Sequence, residues 1–429
     1  MIAQYWSKSA IIRGMCRLIL KLLSSLVFII ALCFGGFSHA NAELSGDLIL
    51  EARYFPETAL FASQEELYTS VSAELEFVTS LLGNKDLTLS FTPFVRYDEH
   101  DDERSHADVR ELLISYASGD WEWRVGVGKV FWGVTESQHL VDIINQTDFV
   151  EDIDTEDKLG QPMVNITWLQ DWGTLNFFVL PYFRERTFPG VNGRLRTPLV
   201  VDTDNPQFRT ATTVGFGPAQ FESDIESGHV DGAIRLSGTV ANFWDYGLYY
   251  FNGTAREPEL IPQSSVNGPV LIPRYNQIQQ VGLDVQATLD SWLLKLEAIA
   301  RSGDPEDYQA LVAGFEYTFF DLGQGFDVGV LLEYHHDTRG QTNNAIFQND
   351  LFAGIRLGLN DEQSTELLAG GYLDFDNDSA FFRLEASRRI GAHFKASIQA
   401  QLFDISDVAD PQFFIQQDDY VEFSLGYFF

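Results

Sequence analysis

From residue 44 to the C-terminus, the chain repeats a segment of about ten residues in which apolar and polar side chains alternate, followed by a turn. Near the start of this region, Leu48, Leu50 and Tyr54 fall on one face, whereas Glu51 and Arg53 fall on the other. A period of two indicates β-strands with one apolar face. Strands of this length are long for a soluble protein but match what a tilted strand needs to cross a bilayer. The pattern therefore predicts membrane-spanning strands.

The connections between these segments alternate in length. Short turns, such as Gly83-Asn84-Lys85 and Gly119-Asp120, alternate with longer polar stretches, of which 132–161 and 185–229 are the longest. Short connections on one side and long ones on the other are typical of outer-membrane barrels. Eight short turns and nine long connections predict an all-β, antiparallel transmembrane β-barrel of about 18 strands, with 16 as the alternative. An even number of strands places both termini in the periplasm.

The C-terminal segment carries a second indication of a barrel. Its apolar side chains occupy alternate positions and the chain stops on an aromatic residue: Phe423, Leu425, Tyr427 and Phe429. This segment resembles the terminal signal that the bacterial barrel-assembly machinery reads. A soluble protein rarely ends in such a strand because an apolar edge would stay exposed, whereas in a barrel the last strand pairs with the first. These four residues are the predicted assembly signal.

The N-terminal segment, residues 1–42, has the composition of a secretory signal peptide. It contains basic but no acidic residues, then an apolar run from Leu22 to Phe37, then Ala40-Asn41-Ala42, so we expect cleavage before Glu43. Residues 43–429 would then form the mature barrel. Both cysteines lie in the first 33 residues, which leaves the mature chain without a zinc-cysteine site, a thiol nucleophile or a disulfide.

The charge balance excludes one class of partner. The chain has 28 Lys and Arg against 62 Asp and Glu, a formal net charge of −34. Because a phosphate backbone would be repelled, nucleic-acid binding is not expected. The expected surroundings are the outer membrane and its lipopolysaccharide, and the oligomeric state is left open.

Assigning the apolar face of each strand to lipid places charged side chains of both signs in the lumen. The predicted lumen charges are Arg53, Arg96, Arg124, Arg235, Arg356, Arg383, Glu74, Glu122, Glu297 and Glu333. A mixed, charged interior favours a solvated channel, because charges in a dry lumen would have to pair closely. The alternative is a plugged barrel in which these charges form structural ladders.

An arginine-rich stretch begins the longest loop and suggests a selectivity element. Its members are Arg184, Arg186, Arg194, Arg196 and Arg209. One hypothesis is an infolded constriction whose guanidinium groups select anionic or carboxylate solutes. The alternatives are a surface loop that binds lipopolysaccharide phosphates and a loop that is merely solvated.

Acidic runs at 98–103 and 148–157 raise the question of calcium, which prefers several carboxylate oxygens. Loop-bound Ca²⁺ is one interpretation, and a solvated, repulsive loop is the other. Asp374, Asp376 and Asp378 begin like an EF-hand loop, but Ser379 stands where glycine is required and the following residues read as a strand. We therefore predict no EF-hand and no dedicated metal or cofactor site.

Histidine and serine residues near the outer ends of strands leave room for a barrel hydrolase. His335-His336 ends one strand, and His139 lies close to Ser137. The sequence has no Gly-x-Ser-x-Gly motif and no equivalent motif of the barrel phospholipases. The protein is predicted not to be an enzyme.

One segment resembles a known family. Gly126 to Gly133 (GVGKVFWG), followed by Asp142, Asn145 and Asp148, resembles a family of largely uncharacterised proteobacterial outer-membrane barrels in which a strand ending in Trp-Gly leads into Asp-x-Ile-Asn-x-x-Asp. More loosely, the architecture is similar to substrate-specific porins and to the alginate-export barrel. The resemblance implies a barrel fold and a porin-like role.

The same segment is a candidate constriction. Gly133 would permit a backbone turn after Trp132, and Ile143 and Ile144 could pack inside the barrel mouth, while Asp142, Asn145 and Asp148 bond to its wall. We therefore expect 132–161 to fold inward. The resulting hypothesis is a channel that passes small hydrophilic or anionic solutes passively, with an inner-membrane transporter as a further partner. The alternatives are a non-conducting structural or adhesion barrel with acidic loops and an outer-membrane hydrolase.

Overall fold

The computed structural model describes residues 42–196, 215–265, 268–323, 325–340, 345–377, 379–407, 410 and 412–429. Residues from Leu44 to Phe429 form one compact unit. The expected signal peptide lies outside the described residues except for Ala42, which begins the first strand. Its cleavage stays a prediction.

Eighteen antiparallel strands form one continuous sheet. Strands are numbered in chain order, and the four numbers absent from the following series belong to a second, smaller sheet. They are β1 (Ala42–Tyr54), β2 (Leu67–Leu81), β3 (Asn84–Asp98), β4 (Ala107–Ser118), β5 (Trp121–Gly128), β6 (Gln161–Gln170), β7 (Gly173–Leu180), β10 (Asp231–Val240), β11 (Trp244–Thr254), β14 (Gln277–Leu289), β15 (Trp292–Gly303), β16 (Tyr308–Leu322), β17 (Phe326–Asp337), β18 (Asn349–Gly358), β19 (Glu366–Asp374), β20 (Ala380–Ile390), β21 (Phe394–Asp404) and β22 (Tyr420–Phe428).

The sheet closes on itself because the last strand pairs with the first. Leu50 of β1 lies opposite Leu425 of β22, and Gly46 exchanges two backbone hydrogen bonds of 3.1 Å with Phe429. Closure removes both sheet edges, as a strand array in lipid requires. The prediction of an 18-strand antiparallel barrel is confirmed.

The connections differ in length at the two ends of the barrel. At one end, which we call the turn end, short turns join neighbouring strands, and both termini lie there as well. At the other end, the loop end, the longest connections are 129–160, 181–230 and 255–276. Gly119 has φ +59° in one of the short turns, a left-handed conformation that glycine adopts without strain.

Alternation along the strands separates an apolar outer face from a polar inner face. In β11, Leu248 and Tyr250 are exposed whereas Tyr249 and Phe251 are buried. Aromatic side chains gather near the turn end, where Trp121 stacks on Trp168 with ring centroids 5.5 Å apart. An exposed apolar band with aromatic borders is the surface that a barrel presents to lipid. The chain is an integral outer-membrane β-barrel.

Helix plays a minor part in the described residues. None of the helices there is both long enough and apolar enough to cross a membrane.

A second, smaller sheet lies at the loop end and was not predicted. The hairpin of β12 (Glu259–Ser265) and β13 (Gly268–Tyr275) pairs in parallel with two short strands of the longest connection, β8 (Gly215–Phe216) and β9 (Gln220–Phe221). Leu271 of β13 and Phe61 of the β1–β2 connection are buried together. The sheet therefore joins two loop-end connections, and Phe61 packs a third against them.

Candidate functional site

The connection between β5 and β6, residues 129–160, contacts the inner face of the barrel, and we call it the insertion. Trp132 is 9% exposed and packs against Tyr249 of β11 and Phe178 of β7, with ring centroids 4.9 and 5.7 Å away. Ile143 and Ile144 are buried in the same apolar cluster. One side of the lumen is therefore filled by the insertion's apolar residues.

Two residues of the Trp-Gly…Asp-x-Ile-Asn-x-x-Asp segment hold the insertion's own backbone. Asp142 Oδ1 accepts hydrogen bonds from the backbone N–H of Trp132 (2.7 Å) and of Gly133 (3.1 Å). Asn145 accepts one from Val130 N (2.9 Å) and donates to Gly128 O and Leu159 O (both 2.8 Å). These amide bonds join the start of the insertion to its end, so the motif specifies the shape of the insertion.

Gly133 has a role different from the one expected. Its φ does not lie in the left-handed region, but a Cβ at this position would lie 2.2 Å from Nδ1 of His139. The glycine is therefore required by the close approach of the imidazole ring.

Glu297 of β15 binds the first half of the insertion through four hydrogen bonds. Its carboxylate, which is 0% exposed, accepts from Val134 N (2.6 Å), from Thr135 N (3.0 Å) and Oγ1 (2.8 Å), and from Val141 N (3.1 Å). A buried carboxylate is tolerated only when donors saturate it in this way. The predicted lumen charge Glu297 thus binds backbone.

His139 adds a positive charge at the same place. Its Nε2 lies 3.0 Å from Glu156, and its Nδ1 lies 3.7 Å from Glu297. Burial lowers the pKa of His139, but the contact with Glu156 and the charges of Glu156 and Glu297 outweigh burial and raise it to about 10. The imidazole is therefore protonated at neutral pH.

The acidic second half of the insertion is bound to arginines of the opposite wall. The paired residues are Asp148 with Arg110 of β4 (2.6 Å), Glu151 with Arg96 of β3 (2.6 Å), Asp152 with Arg53 of β1 (3.8 Å) and Asp154 with Arg383 of β20 (2.7 Å). The acidic run at 148–157 therefore neutralises wall arginines inside the barrel. Together with the contacts to β7, β11 and β15, these pairs show that the insertion crosses the lumen.

Other predicted lumen charges stay accessible. On β5, Arg124 pairs with Glu122 at 2.8 Å, and the two side chains are 43% and 28% exposed. Arg356 of β18 pairs with Glu136 of the insertion at 2.7 Å and is 42% exposed. Strands β5 and β18 lie nine strands apart in either direction around the barrel. Two exposed arginines thus face the lumen from opposite walls. In contrast, Arg235 is buried in a pair with Asp284. Glu74, another predicted lumen charge, is partly exposed on β2.

The arginine-rich stretch divides into two kinds of residue. Arg194 is buried, donates to Asp418 Oδ1 at 2.5 Å and lies 4.5 Å over the Phe55 ring, and Arg196 is also buried. Arg184 is 26% exposed and pairs with Asp108 at 2.9 Å. Arg194 thus joins the long connection to Asp418 and Phe55, whereas Arg184 stays partly exposed.

The remaining two arginines of that stretch are Arg186 and Arg209. Arg186 is half-buried and lies 5.2 Å over the Phe149 ring, and burial lowers its pKa. Arg209 lies outside the described residues.

The two buried acids of the run at 98–103 have partners within the protein. Asp98 pairs with Arg104 at 3.0 Å, and Asp101 accepts the backbone N–H of Gly190 at 3.0 Å. A metal-like group of His106, Asp148 and Glu151 also occurs, with ligand atoms within 4.8 Å of one another. Because arginines already pair with both of its carboxylates, this group is an ion-pair network.

Ser137 and His335 approach each other as in a serine hydrolase, with 2.7 Å between Oγ and Nε2, and Gln138 Oε1 lies 3.3 Å from His335 Nδ1. However, the backbone N–H groups of Glu136 and Ser137 donate to the Glu333 carboxylate at 2.8 and 2.9 Å. In a serine hydrolase, backbone N–H groups beside the serine stabilise the negatively charged oxygen of the intermediate, but here Glu333 occupies them. Glu333, a predicted lumen charge, anchors the insertion at this point.

The residues of the predicted assembly signal form an exposed apolar row on β22 and at the C-terminus. Phe423, Leu425, Tyr427 and Phe429 are each exposed, and the rings of Tyr427 and Phe429 stack with centroids 6.1 Å apart. The row therefore faces the lipid.

Sequence phasing missed Arg110. Leu112 and Ile114 are exposed, so strict alternation places Arg110 on the lipid face with them. The register between β3 and β4 shifts beside Arg110, and this bulge turns the side chain inward, where it is 3% exposed. A bulge leaves no clear signal in the alternation of a single sequence.

No protein-family model matches the sequence, and no curated protein matches it. Among solved structures, OccK3 (OpdO) of Pseudomonas aeruginosa is 9% identical with a TM-score of 0.51, covering 90% of this chain and 95% of that one. A mutant porin of Rh. blastica is 10% identical with a TM-score of 0.42, covering 90% of this chain and 100% of that one.

A further solved structure, in-vitro folded OmpT of Vibrio cholerae, is 9% identical with a TM-score of 0.43, covering 90% of this chain and 99% of that one. At 9% identity, the likeness to OccK3 shows the barrel fold alone.

Proposed function

We propose that the protein is a porin-like channel through which small hydrophilic solutes, including anions, cross the outer membrane passively. The observation that carries this proposal is the exposure of Arg124 and Arg356 on opposite inner walls of a closed barrel. Charged side chains in a lumen stay exposed only where water reaches them, because desolvating them without full pairing is costly. A hydrated lumen provides a path for solutes of similar polarity.

In this proposal the insertion sets the width of the channel. Its apolar half packs against β7 and β11, and its acidic half reaches β1, β3, β4 and β20, so a solute has to pass beside it. Asp142, Asn145 and Asp148 act indirectly, because they hold the insertion in shape. Trp132 and the two isoleucines fill the remaining space on one side.

The preference for anions rests on two positions. Arg184 lies near the loop end and is partly exposed, and Arg124 lies closer to the turn end on β5. A guanidinium group offers paired donors to a carboxylate, which suits a passing organic acid. Arg194 and Arg196 have a supporting role, since they hold the long connection in place.

The proposal places the turn end in the periplasm and the loop end outside the cell, where the loops meet lipopolysaccharide. Residues 423–429 are then the assembly signal that the barrel-assembly machinery reads. A passive channel only equilibrates a solute across the outer membrane, so uptake into the cell requires an inner-membrane transporter as partner. No enzymatic step is proposed, because Glu333 takes up the donors beside Ser137.

One observation favours a rival, a non-conducting structural barrel. The insertion is bound to both sides of the lumen, and the side chains of Glu297 and Glu333, which bind it, are almost fully buried. If the same anchoring also seals the lumen, solute would not pass.

Swelling of liposomes that contain the purified mature protein tests the proposal. In isosmotic solutions, we expect liposomes to swell with a small neutral sugar and faster with a monocarboxylate sugar acid. Arg124→Gln should reduce the advantage of the acid and leave the sugar rate unchanged. No swelling with a heat-modifiable, folded barrel would favour the structural barrel.

A further inference from the structure

At the loop end, arginines from separate chain segments surround one glutamate, Glu257 of the 255–276 connection. Arg301 lies near the end of β15, and Arg339 follows the end of β17. Nη1 of Arg301 lies 3.5 Å from Glu257 Oε2, and Nη1 of Arg339 lies 3.7 Å from the same oxygen. The charge of Glu257 also acts on Arg186 of the long connection. Three guanidinium groups are therefore directed towards a single carboxylate.

The two ion pairs of Glu257 are long, and water reaches them. They exceed the 2.6 Å that separates Arg110 and Asp148 in the pair that binds the insertion. The Glu257 side chain is 51% exposed, whereas those of Arg301 and Arg339 are 9% and 19% exposed. Because exposed ion pairs contribute little free energy, Glu257 can leave its place at low cost.

Other partners hold the two guanidinium groups in position. Arg339 donates from Nε and Nη2 to Asp337, at 3.1 and 2.6 Å, and Arg301 donates from Nε to Gln280 Oε1 at 2.6 Å. The Tyr308 ring lies 3.8 Å from the guanidinium carbon of Arg339 and 5.0 Å from that of Arg301. The glutamate takes part in none of these contacts, so both Nη1 groups stay in place when it moves. Donors fixed in advance bind an anion with a smaller loss of entropy.

Positive charge exceeds negative charge at this place. Among the residues that the structure describes, the ion pairs of the three arginines involve two acids, Glu257 and Asp337. When the Glu257 side chain moves away, three guanidinium groups face the single carboxylate of Asp337. The arrangement then has room and charge for another anion, and its present occupant shows that a carboxylate fits.

We propose that Arg301 and Arg339, with the nearby charge of Arg186, bind the carboxylate of a small organic acid at the loop end, in the place that Glu257 occupies in the empty channel. An acid that approaches from the loop end displaces the Glu257 side chain into water and accepts hydrogen bonds from both Nη1 groups. The inference rests on the proposed passage of anions. It assigns the first contact of the solute to a site other than Arg184 and Arg124.

Calorimetric titration of the folded mature protein with gluconate, a monocarboxylate, tests the site in detergent. Glu257→Gln keeps the size of the side chain but removes the competing charge, so it should bind gluconate roughly tenfold more tightly than wild type. Glu259→Gln makes the same change two residues further on, at a glutamate that pairs with Arg274 instead, and should bind as wild type does. Inorganic phosphate should bind less tightly than gluconate.

A second variant removes a donor. Arg301→Gln should abolish gluconate binding, and heat-modifiable migration shows whether this variant is folded. Equal affinity of wild type and Glu257→Gln for gluconate, or binding to neither, would overturn the site even if Arg301→Gln does not fold. Phosphate binding as tight as that of gluconate would overturn the assignment to carboxylates.

The titration is independent of transport, so it separates this inference from the proposed function. Liposomes that swell, together with equal binding by wild type and Glu257→Gln, would keep the channel and overturn the site. Tighter binding by Glu257→Gln, together with liposomes that do not swell, would keep the site and contradict the channel.

Discussion

Asp148 of the insertion accepts a hydrogen bond of 2.6 Å from Arg110 of β4, and the two side chains are 0% and 3% exposed. The other carboxylate oxygen of Asp148 accepts from Thr187 Oγ1 at 2.7 Å. Burial raises the pKa of Asp148, but the neighbouring His106 and Arg110 outweigh burial and lower it to about 2. One permanently charged side chain therefore joins the insertion, the wall and the long connection.

Asp148→Ala should release the acidic half of the insertion from the wall. The substitution leaves the buried Arg110 with a longer pair to Asp108 (3.3 Å), and breaking a buried pair costs about 3–5 kcal/mol. Limited proteolysis of the folded barrel should cleave within 148–157 in the variant but not in wild type. Asp224→Ala serves as the control. If the variant resists cleavage as wild type does, Asp148 is not an anchor.

The docking of the insertion should weaken at alkaline pH. The pKa of His139 is raised from 6.5 to about 10 in the folded protein, so its stabilisation is complete below about pH 6.5 and is lost as the pH rises through 10. Current fluctuations in single-channel records should increase across that interval. His139→Gln should abolish the dependence, and the exposed His336→Gln should preserve it. A wild-type record that does not change with pH would refute this role.

Arg124→Glu should shift ion preference towards cations, because it reverses a charge that is exposed in the lumen. Reversal potentials in a salt gradient measure the shift. Lys85→Glu makes the same charge change at an exposed residue near the start of β3, beside a short turn, and should have little effect. Arg194→Gln should leave the reversal potential unchanged, because that side chain is buried against Asp418. A shift with Arg194→Gln but none with Arg124→Glu would move the selective element to the long connection.

Phe429→Ala should impair assembly of the barrel. The ring belongs to the exposed apolar row of the last strand, and closure depends on pairing of this end with β1. We expect less heat-modifiable protein in the outer membrane. Phe320→Ala, at another exposed phenylalanine near a short turn, provides the control. Wild-type amounts of folded Phe429→Ala protein would remove the argument for an assembly signal.

The barrel could be predicted from sequence because its determinants are local. Alternation, turn residues and the terminal row each occupy a few consecutive residues, and together they predict the number of strands. The lipid-facing row of Leu248 and Tyr250 appears directly in the printed sequence. Strand pairing then follows from chain order, since neighbours in sequence are neighbours in a meander.

The ion-pair partners of the lumen and loop arginines could not be predicted, because these partners come from distant parts of the chain that meet only in the folded barrel. Arg184 and Arg194 look alike in sequence, but one is partly exposed and the other is buried against a residue 224 positions away. Arg110 was missed because a bulge reverses its face.

The most direct test of the central claim is the single-channel conductance of the purified mature protein in a planar bilayer. A channel narrowed by the insertion predicts discrete steps in wild type and larger steps in Asp148→Ala. Silence from folded wild-type protein, with steps appearing only in Asp148→Ala, would show that the insertion seals the barrel. Silence from both proteins would contradict a channel altogether.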